Sequence, residues 1–295
     1  MAIANITPDS FSDGGRWLVE ASSPPAVSVV LKQCREWVQA GAKLVDVGGE
    51  STRPGADPVD IDTEVGRVVP VIAALLEDSI CRQAVISVDT RHAGVARAAL
   101  EAGADVVNDI SGLADPQMAE VVAQYGAGLV IGHMRGTPTT MQAEIRFADV
   151  LAEVAAELNR SLERARRAGI DQAQVVVDPC IGFGKTAEQS AALSLASDTL
   201  ARRTLRPVLM GVSRKSFIGA LTGLGVDDRQ AASVQAGLLA AMHGASILRV
   251  HDVIETLTGL RLCQGMLRAA GEHGVPDVRT ETGWVEAGQG KEPAA

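Results

Sequence analysis

Short apolar segments alternate along the chain with longer amphipathic ones. The short segments are rich in valine and isoleucine and have little polar alternation, which is typical of parallel strands buried on both faces. The eight predicted strands are Met1–Ile6, Lys43–Gly48, Ala84–Asp89, Asp105–Ile110, Gly128–His133, Gln174–Asp178, Pro207–Val212 and Ile247–His251. The clearest predicted helices are Ala26–Ala40, Glu64–Leu76, Val95–Ala102, Ala148–Arg167 and Arg229–His243. Each strand is therefore expected to lead into a helix.

Glycines mark the ends of several predicted helices, at Gly41, Gly103, Gly169 and Gly244. Eight strands, with seven helices between them and one after the last, are the elements of a (β/α)8 TIM barrel, an α/β fold in a single domain. An open doubly wound sheet has the same alternation and is the alternative, but no G-x-G-x-x-G motif follows the first strand. We predict that residues 1–274 form the barrel. Residues 275–295 lack periodicity and are expected to be a disordered tail.

Composition excludes several classes of protein. The chain of 295 residues is 46% apolar and 21% charged, which is ordinary for a globular protein with a large core. No segment approaches the roughly 18 uncharged apolar residues of a membrane helix, so no membrane partner is expected. The net charge of −9 argues against a nucleic-acid partner. The four cysteines are scattered without metal or redox spacing, which favours a cytoplasmic location.

Polar residues stand at or just after the carboxyl end of every predicted strand. They are Asn5, Asp46, Glu50, Asp89, Asn108, Asp109, His133, Asp178, Ser213, Arg214, Lys215, Arg249 and His251. Catalytic groups of a TIM barrel project from these ends. A single aspartate there often only caps the following helix. Polar groups at all eight ends indicate a site, because buried charges are costly unless they pair or bind a ligand.

The residue types narrow the chemistry of this site. Asp89, Asn108 and Asp178 suit a flat, nitrogen-rich heterocycle, since carboxylates accept from ring amino and N–H groups. Lys215, Arg249 and His251 are cationic or can become so, and they would bind a phosphate or diphosphate. Residues 7–15 and 48–55 are rich in Gly, Ser and Pro. These two segments are either mobile lids over a substrate or exposed turns.

Eight short segments with polar and glycine residues follow one another along the chain. They are N-I-T-P-D-S-F-S-D-G-G (5–15), D-V-G-G-E-S-T-R-P-G (46–55), S-V-D-T (87–90), V-N-D-I (107–110), H-M-R-G-T-P (133–138), D-P-C-I-G-F-G-K-T (178–186), S-R-K-S (213–216) and R-V-H-D (249–252). In sequence and order these segments closely resemble the dihydropteroate synthase family. The resemblance runs from Met1 to about Ala270. It implies condensation of 6-hydroxymethyl-7,8-dihydropterin diphosphate with p-aminobenzoate, which gives dihydropteroate and pyrophosphate in folate biosynthesis.

The resemblance also implies roles for individual residues. The pterin would be held by Asp89, Asn108, Asp178, Lys215 and Arg249, with Arg249 stacked over the ring. The diphosphate would be held by Asn5 through a magnesium ion, the only cofactor, and by Thr52, Arg249 and His251. The p-aminobenzoate site would comprise Thr52, Arg53, Pro54, Phe183 and Ser216. The mobile loops would include Asp9, Ser10, Phe11, Ser12, Asp13 and Ser51. The catalytic residues would be Lys215, Asp89, Arg249 and His251, in an enzyme that forms a homodimer and is inhibited by sulfonamides.

The implied reaction needs no protein nucleophile. A diphosphate leaves readily once magnesium and cationic side chains neutralise it. The pterin ring can stabilise the cationic methylene, with help from Asp89, and the aromatic amine attacks as a free base. We therefore give Cys180 no catalytic role.

The chain departs from the family pattern at three places. A short segment that usually precedes the first strand is nearly absent. Cys180 stands where the family usually has glycine and is expected to alter a turn near Asp178. Gly132 replaces a bulkier residue and is expected to loosen the pocket floor. The neighbouring His133 is assigned no ligand and is expected to be structural.

Three other functions share parts of this pattern. A methyltransferase that passes a methyl group from a folate to a corrinoid would keep the pterin contacts, but it would not need the S-T-R-P-G or S-R-K-S segments. A non-catalytic pterin-binding paralogue would be expected to lose Lys215, Arg249 or His251, and all three are present. An unrelated barrel enzyme with a phosphate site after strands seven and eight would explain only the cationic residues.

Overall fold

A computed structural model describes residues 1–7, 26–53 and 55–272. Its strands are β1 Ala2–Asn5, β2 Leu44–Gly48, β3 Val85–Asp89, β4 Val106–Asp109, β5 Gly128–Gly132, β6 Val175–Asp178, β7 Leu209–Met210 and β8 Ile247–Leu248. Each lies inside a predicted strand. The last two predictions were too long, so Arg249 and His251 follow β8 and do not belong to it.

The strands form a closed barrel. Strands β1 to β6 make one parallel sheet, and β7 pairs with β8. Parallel bridges join Val177 to Val208 and Ala2 to Val250. At the second junction the Ile3 N–H donates to the Val250 carbonyl at 3.2 Å. Because the last strand segment reaches the first, the sheet has no free edges, and the open doubly wound alternative is wrong.

Ten helices surround this barrel in the described part of the chain. They are α1 Val27–Ala40, α2 Ile61–Glu77, α3 Ala93–Glu101, α4 Met118–Tyr125, α5 Val150–Arg167, α6 Ala187–Ser194, α7 Ser197–Thr204, α8 Ser216–Thr222, α9 Gln230–Met242 and α10 Val253–Glu272. The prediction of one helix per connection is wrong after β6 and after β7, which each lead into two helices. A capping box between Thr186 and Gln189 starts α6.

The strand register places the polar strand ends beside one another. Asn5 pairs with Gly48, and Gly48 pairs with Asp89. Asp89 in turn pairs with Asn108. On the far side of the sheet, Asp178 pairs with Gly132. Since parallel strands end at a common rim, this register brings residues from distant parts of the sequence to one end of the barrel.

The core lies between the outer face of the strands and the helices. Val47 and Val88 are fully buried on neighbouring strands, and Ile72 and Leu75 of α2 belong to the same apolar cluster. Helix α1 ends where Gly41 takes a left-handed φ of 118°, which allows the chain to turn directly into β2. Among the described helices, none is long and apolar enough to cross a membrane.

Candidate active site

Arg249 ties together three strand ends at the centre of the rim. Its Nε donates to Asp46 Oδ2 at 2.7 Å, and its Nη2 donates to Asp89 Oδ2 at 2.5 Å. Asn108 Nδ2 donates to the same Asp46 oxygen at 3.0 Å. Asp46 is completely buried. It therefore orients both Arg249 and Asn108, a role that the sequence did not reveal.

Several acceptors in this network have no partner within the described part of the protein. They are Asp89 Oδ1, Asn108 Oδ1 and Asp46 Oδ1. A buried acceptor without a donor costs about 1–3 kcal/mol. Burial raises the pKa of Asp89, although the adjacent Arg249 opposes this effect. The site thus presents an array of acceptors that a ligand rich in N–H groups would satisfy.

Lys215 brings a positive charge to this array. Burial, reinforced by Arg249, lowers the pKa of Lys215 to about 8. Its Nζ lies 4.2 Å from the centroid of the Phe183 ring, a cation–π contact. Burial also raises the pKa of Asp178, whose Oδ1 accepts from the Cys180 N–H at 2.7 Å. Lys215 is thus desolvated between the polar network and an aromatic face.

His251 is a neutral donor in this arrangement. Burial, together with the charge of Arg249, lowers its pKa to about 3. Its backbone N–H lies 3.3 Å from Ser213 Oγ, and its Nδ1 lies 3.1 Å from the same oxygen. If Ser213 accepts from the backbone, its hydroxyl proton is free to bond Nδ1. That pairing leaves the proton of the neutral ring on Nε2.

Asn5 lies beside the same network. A side-chain carbon placed on Gly48 would come within 3.2 Å of Asn5 Oδ1 and 3.5 Å of Asp89 Cβ. The space above Gly48 is therefore bordered by an amide oxygen and a carboxylate. Oxygen ligands are those that Mg²⁺ prefers, so this donor set fits the expected ion.

Of the residues assigned to p-aminobenzoate, Phe183 and Arg53 lie close to this centre. Thr52 and Arg53 follow β2 and are half-buried, as is Ser51. The charge of Arg53 contributes to the low pKa of His251, behind the effects of burial, Arg249, Arg214 and Lys215. Ser216 is exposed at the first position of α8. Pro54, Asp9, Ser10, Phe11, Ser12 and Asp13 and the predicted tail 275–295 lie outside the described residues.

Two polar strand ends have structural roles. His133 Nε2 lies 2.9 Å from Glu157, and its Nδ1 lies 3.1 Å from Lys185 Nζ. Asp109 accepts from the backbone N–H groups of Ser111 and Leu113. The structural role predicted for His133 agrees with these bonds. Lys185 also donates to three backbone carbonyls. This structural role was not predicted from the sequence, although the lysine stands in the glycine-rich segment 178–186.

The Cys180 side chain lies directly beside Gly132. Cys180 has a left-handed φ of 50°, which agrees with a glycine being usual there. A side-chain carbon on Gly132 would lie 2.5 Å from Ile110 Cα and 2.7 Å from Cys180 Sγ. The pocket floor is therefore filled at Gly132, contrary to the expected loosening. Burial raises the pKa of the Cys180 thiol, which agrees with its being no nucleophile.

Comparisons with known proteins give one consistent result. Residues 1–251 match the family model described as pterin binding enzyme. Dihydropteroate synthase of Escherichia coli strain K12 is 40% identical over 271 residues, which cover 91% of this chain and 92% of that protein. A Yersinia pestis dihydropteroate synthase with a sulfonamide drug complex has a TM-score of 0.83 at 36% identity, covering 91% and 94% of the two chains. The Xanthomonas albilineans enzyme with 4-aminobenzoic acid has a TM-score of 0.80 at 40% identity, covering 90% and 92%.

Proposed function

Because the chain belongs to the dihydropteroate synthases of the pterin-binding enzyme family, we propose that it condenses 6-hydroxymethyl-7,8-dihydropterin diphosphate with p-aminobenzoate. The protein is a transferase. The observation that carries the proposal is the set of unpartnered acceptors on Asp89 and Asn108 beside Arg249 and Lys215. The acceptors would bond the N–H groups of a pterin ring, and the positive charge beside them would bind the attached diphosphate.

The pterin ring has N–H and amino donors that Asp89 Oδ1 and Asn108 Oδ1 can accept. Asp178 adds a third acceptor, and Lys215 donates to an oxygen or nitrogen of the ring. Arg249 cannot rotate freely, because Asp46 and Asp89 hold two of its nitrogens. Its fixed guanidinium plane is suited to stacking on the flat heterocycle.

The diphosphate would lie toward Arg249 and His251. Neutral His251 donates through Nε2, while Arg249 supplies the fixed charge. We assign Thr52 and the amide oxygen of Asn5 to the same end of the pocket. We place a magnesium ion at Asn5, where it would neutralise the diphosphate and improve it as a leaving group. These contacts stabilise the charge that develops on pyrophosphate as it departs.

The second substrate would bind near the segment after β2. Thr52, Arg53 and Pro54 would line one side and Phe183 the other, with Ser216 meeting the carboxylate. The amine nitrogen attacks the pterin methylene, the carbon–oxygen bond to the diphosphate breaks, and the amine proton passes to solvent. Positioning and electrostatics supply the catalysis, since no covalent intermediate is needed. A sulfonamide, which has the shape of p-aminobenzoate, would compete for this position.

A coupled assay of pyrophosphate release tests the proposal. Release should require both substrates and should fall when magnesium is chelated. Tight binding of the pterin diphosphate without release in the complete mixture would favour a non-catalytic pterin-binding protein. Methyl transfer from a folate to a corrinoid would favour the methyltransferase alternative.

The proposal includes a homodimer in the cytoplasm. Leu239 on α9 is half-exposed, and Leu262 and Met266 on α10 are more than 60% exposed, so these adjacent helices have an apolar outer face. Large exposed apolar side chains that cluster commonly mark an interface. All four cysteines are free, as expected in a reducing compartment. Sedimentation equilibrium should give twice the chain mass, and a monomer at all concentrations would contradict the dimer.

A further inference from the structure

Two buried carboxylates and a partly buried histidine meet at the base of the segment after β2, beside the groups assigned to substrate but not among them. Glu50 follows β2, Glu64 lies in α2, and His92 precedes α3. One ligand atom from each of the three lies within 4.8 Å of the other two. His92 Nε2 is 3.7 Å from Glu50 Oε2. We call these three residues the Glu–Glu–His cluster.

The environment of Glu64 is unusual for a carboxylate. The residue is completely buried, and neither of its oxygens has a hydrogen-bond partner within the described residues. His92 Nε2 is likewise buried without a hydrogen-bond partner there. A buried charge without a partner is strongly unfavourable, so buried carboxylates normally pair, bind a metal or become protonated. Three unpartnered ligand atoms in one place require an explanation.

The neighbouring cations Arg91 and His92 supply only part of that explanation. Arg91 donates through Nε and Nη2 to the two oxygens of Glu50 at 2.8 and 2.9 Å. This pair balances the charge of Glu50, and the effect of Arg91 on Glu64 is smaller. Burial raises the pKa of Glu64 to about 7, and the nearby charge of Glu50 adds to that shift. Thr90, His92 and Arg91 oppose this shift only in part, so Glu64 has no full counter-charge among the described residues.

We propose that Glu50, Glu64 and His92 bind a divalent metal ion of the zinc type. Two carboxylates and an imidazole are a ligand set that zinc accepts, whereas magnesium prefers oxygen ligands alone. Ligand bonds of about 2.0–2.2 Å in a tetrahedral centre place ligand atoms roughly 3.4 Å apart. To reach that spacing from separations of up to 4.8 Å, the widest pair of ligand atoms must approach by at most about 1.4 Å. The His92 side chain is 23% exposed, which gives an ion a route from solvent.

The ion would have a structural effect on the segment that carries Thr52 and Arg53. Glu50 precedes this segment directly, and Glu50 Oε1 also accepts from the Val59 N–H at 3.1 Å at its far end. A metal on Glu50 would fasten both ends of the segment to α2 and α3. Metal binding and this fastening can be measured without substrates, so their failure would not affect the proposed reaction.

The test is a titration of metal-free protein with Zn²⁺ against a chromophoric chelator. Wild-type protein should bind one equivalent of Zn²⁺. Glu64→Gln and His92→Ala should each bind this ion at least about tenfold more weakly. Glu77→Gln, an exposed glutamate of α2, and His243→Ala are the matched controls and should bind as wild type does. Equal binding by Glu64→Gln, or no tight binding by wild type, would overturn the proposal.

Two further measurements on the wild-type protein separate a folding defect from a lost ligand. Co²⁺ bound at the cluster should give visible ligand-field bands without a thiolate charge-transfer band, because no cysteine is a ligand. A thiolate band from the bound equivalent would assign the ion to cysteines and contradict the site. Zn²⁺ should also slow hydrogen exchange of the Val59 amide in wild type, and unchanged exchange would contradict the fastening of the segment.

Discussion

Arg249 and Asp46 are 203 positions apart in the sequence, and their side chains form a 2.7 Å charge-assisted hydrogen bond at the centre of the pocket. Asp46 has no assigned contact with substrate and acts by holding Arg249 and Asn108. Asp46→Asn should lower kcat/KM for the pterin diphosphate by about 10–100-fold, since a hydrogen bond to a charged group contributes about 1.5–3 kcal/mol. Steady-state kinetics check this, with the exposed Asp227→Asn as control. Equal kinetics of Asp46→Asn and the control would contradict the positioning role.

The network around Arg249 shows which features of the fold and the site could be predicted from the sequence and which could not. Periodicity located all eight strands, and the polar strand ends located the rim, because both are local patterns. The pairing of Arg249 with Asp46 was not predictable, since nothing in either segment reports its distant partner. His133 and Asp109 could not be told from ligand-binding residues, because they too are polar residues at strand ends. A polar strand end has the same sequence whether it is left with an unpartnered acceptor, as at Asp89, or is paired with internal groups, as at His133.

Local chemistry was also insufficient at two other points. One helix was predicted between β6 and β7 from the strand–helix alternation alone, and the structure has two, α6 and α7, which separate near Leu195. Glu64 was predicted only as the first residue of a helix, yet it is completely buried in the Glu–Glu–His cluster. Both cases depend on how helices pack, which periodicity does not specify.

The pKa of Lys215 predicts a decline of activity at alkaline pH. Burial lowers this pKa from 10.5 to about 8, so Lys215 is protonated below pH 8 and loses its charge above it. Since kcat/KM reports groups of the free enzyme, kcat/KM for the pterin diphosphate should fall as the pH rises through about 8. A pH–rate profile measures this directly.

Lys185 has a similar pKa of about 8 and must be distinguished from Lys215. Lys185→Arg should keep the alkaline decline. Lys215→Arg should be much less active, and its remaining activity should not decline near pH 8, because arginine keeps its charge. Lys215→Ala should abolish turnover. A decline that persists in Lys215→Arg but disappears in Lys185→Arg would show that Lys185 is responsible.

Removal of the His251 side chain should weaken binding of the diphosphate group more than binding of the pterin ring. Its neutral ring is positioned by Ser213 to donate one hydrogen bond, and His251→Ala removes that donor. Binding of the pterin diphosphate should weaken by about tenfold, in line with the loss of about 1.5 kcal/mol. Calorimetric binding of a pterin without a diphosphate should change little. Equal weakening for both ligands would place His251 against the ring instead.

Gly132 should tolerate no side chain. A methyl group there would lie 2.5 Å from the Ile110 backbone and 2.7 Å from Cys180 Sγ. Gly132→Ala should therefore lower the free energy of unfolding by about 1–3 kcal/mol, as overpacking commonly does. Gly66→Ala is the matched control, because this helical glycine has open space around it and alanine should stabilise α2 by roughly 0.5–1 kcal/mol. Urea unfolding of both variants measures these changes. An unchanged free energy of unfolding for Gly132→Ala would show that the backbone around Ile110 and the Cys180 side chain can move to accept the methyl group.

Sulfonamide inhibition would locate the second substrate. A sulfonamide should compete with p-aminobenzoate and not with the pterin diphosphate. Substitution of Phe11, Thr52 or Pro54 should weaken the inhibitor more than the substrate. Initial rates at varied concentrations of each substrate distinguish these patterns, and inhibition independent of p-aminobenzoate would contradict the assigned position of Thr52.

The most direct measurement of the central claim is the product stoichiometry of the complete reaction. Wild-type protein with the pterin diphosphate, p-aminobenzoate and magnesium should yield dihydropteroate, identified by mass spectrometry, in equal amount to pyrophosphate. Pyrophosphate without dihydropteroate, or neither product from a folded protein that binds the pterin diphosphate, would contradict the proposed condensation.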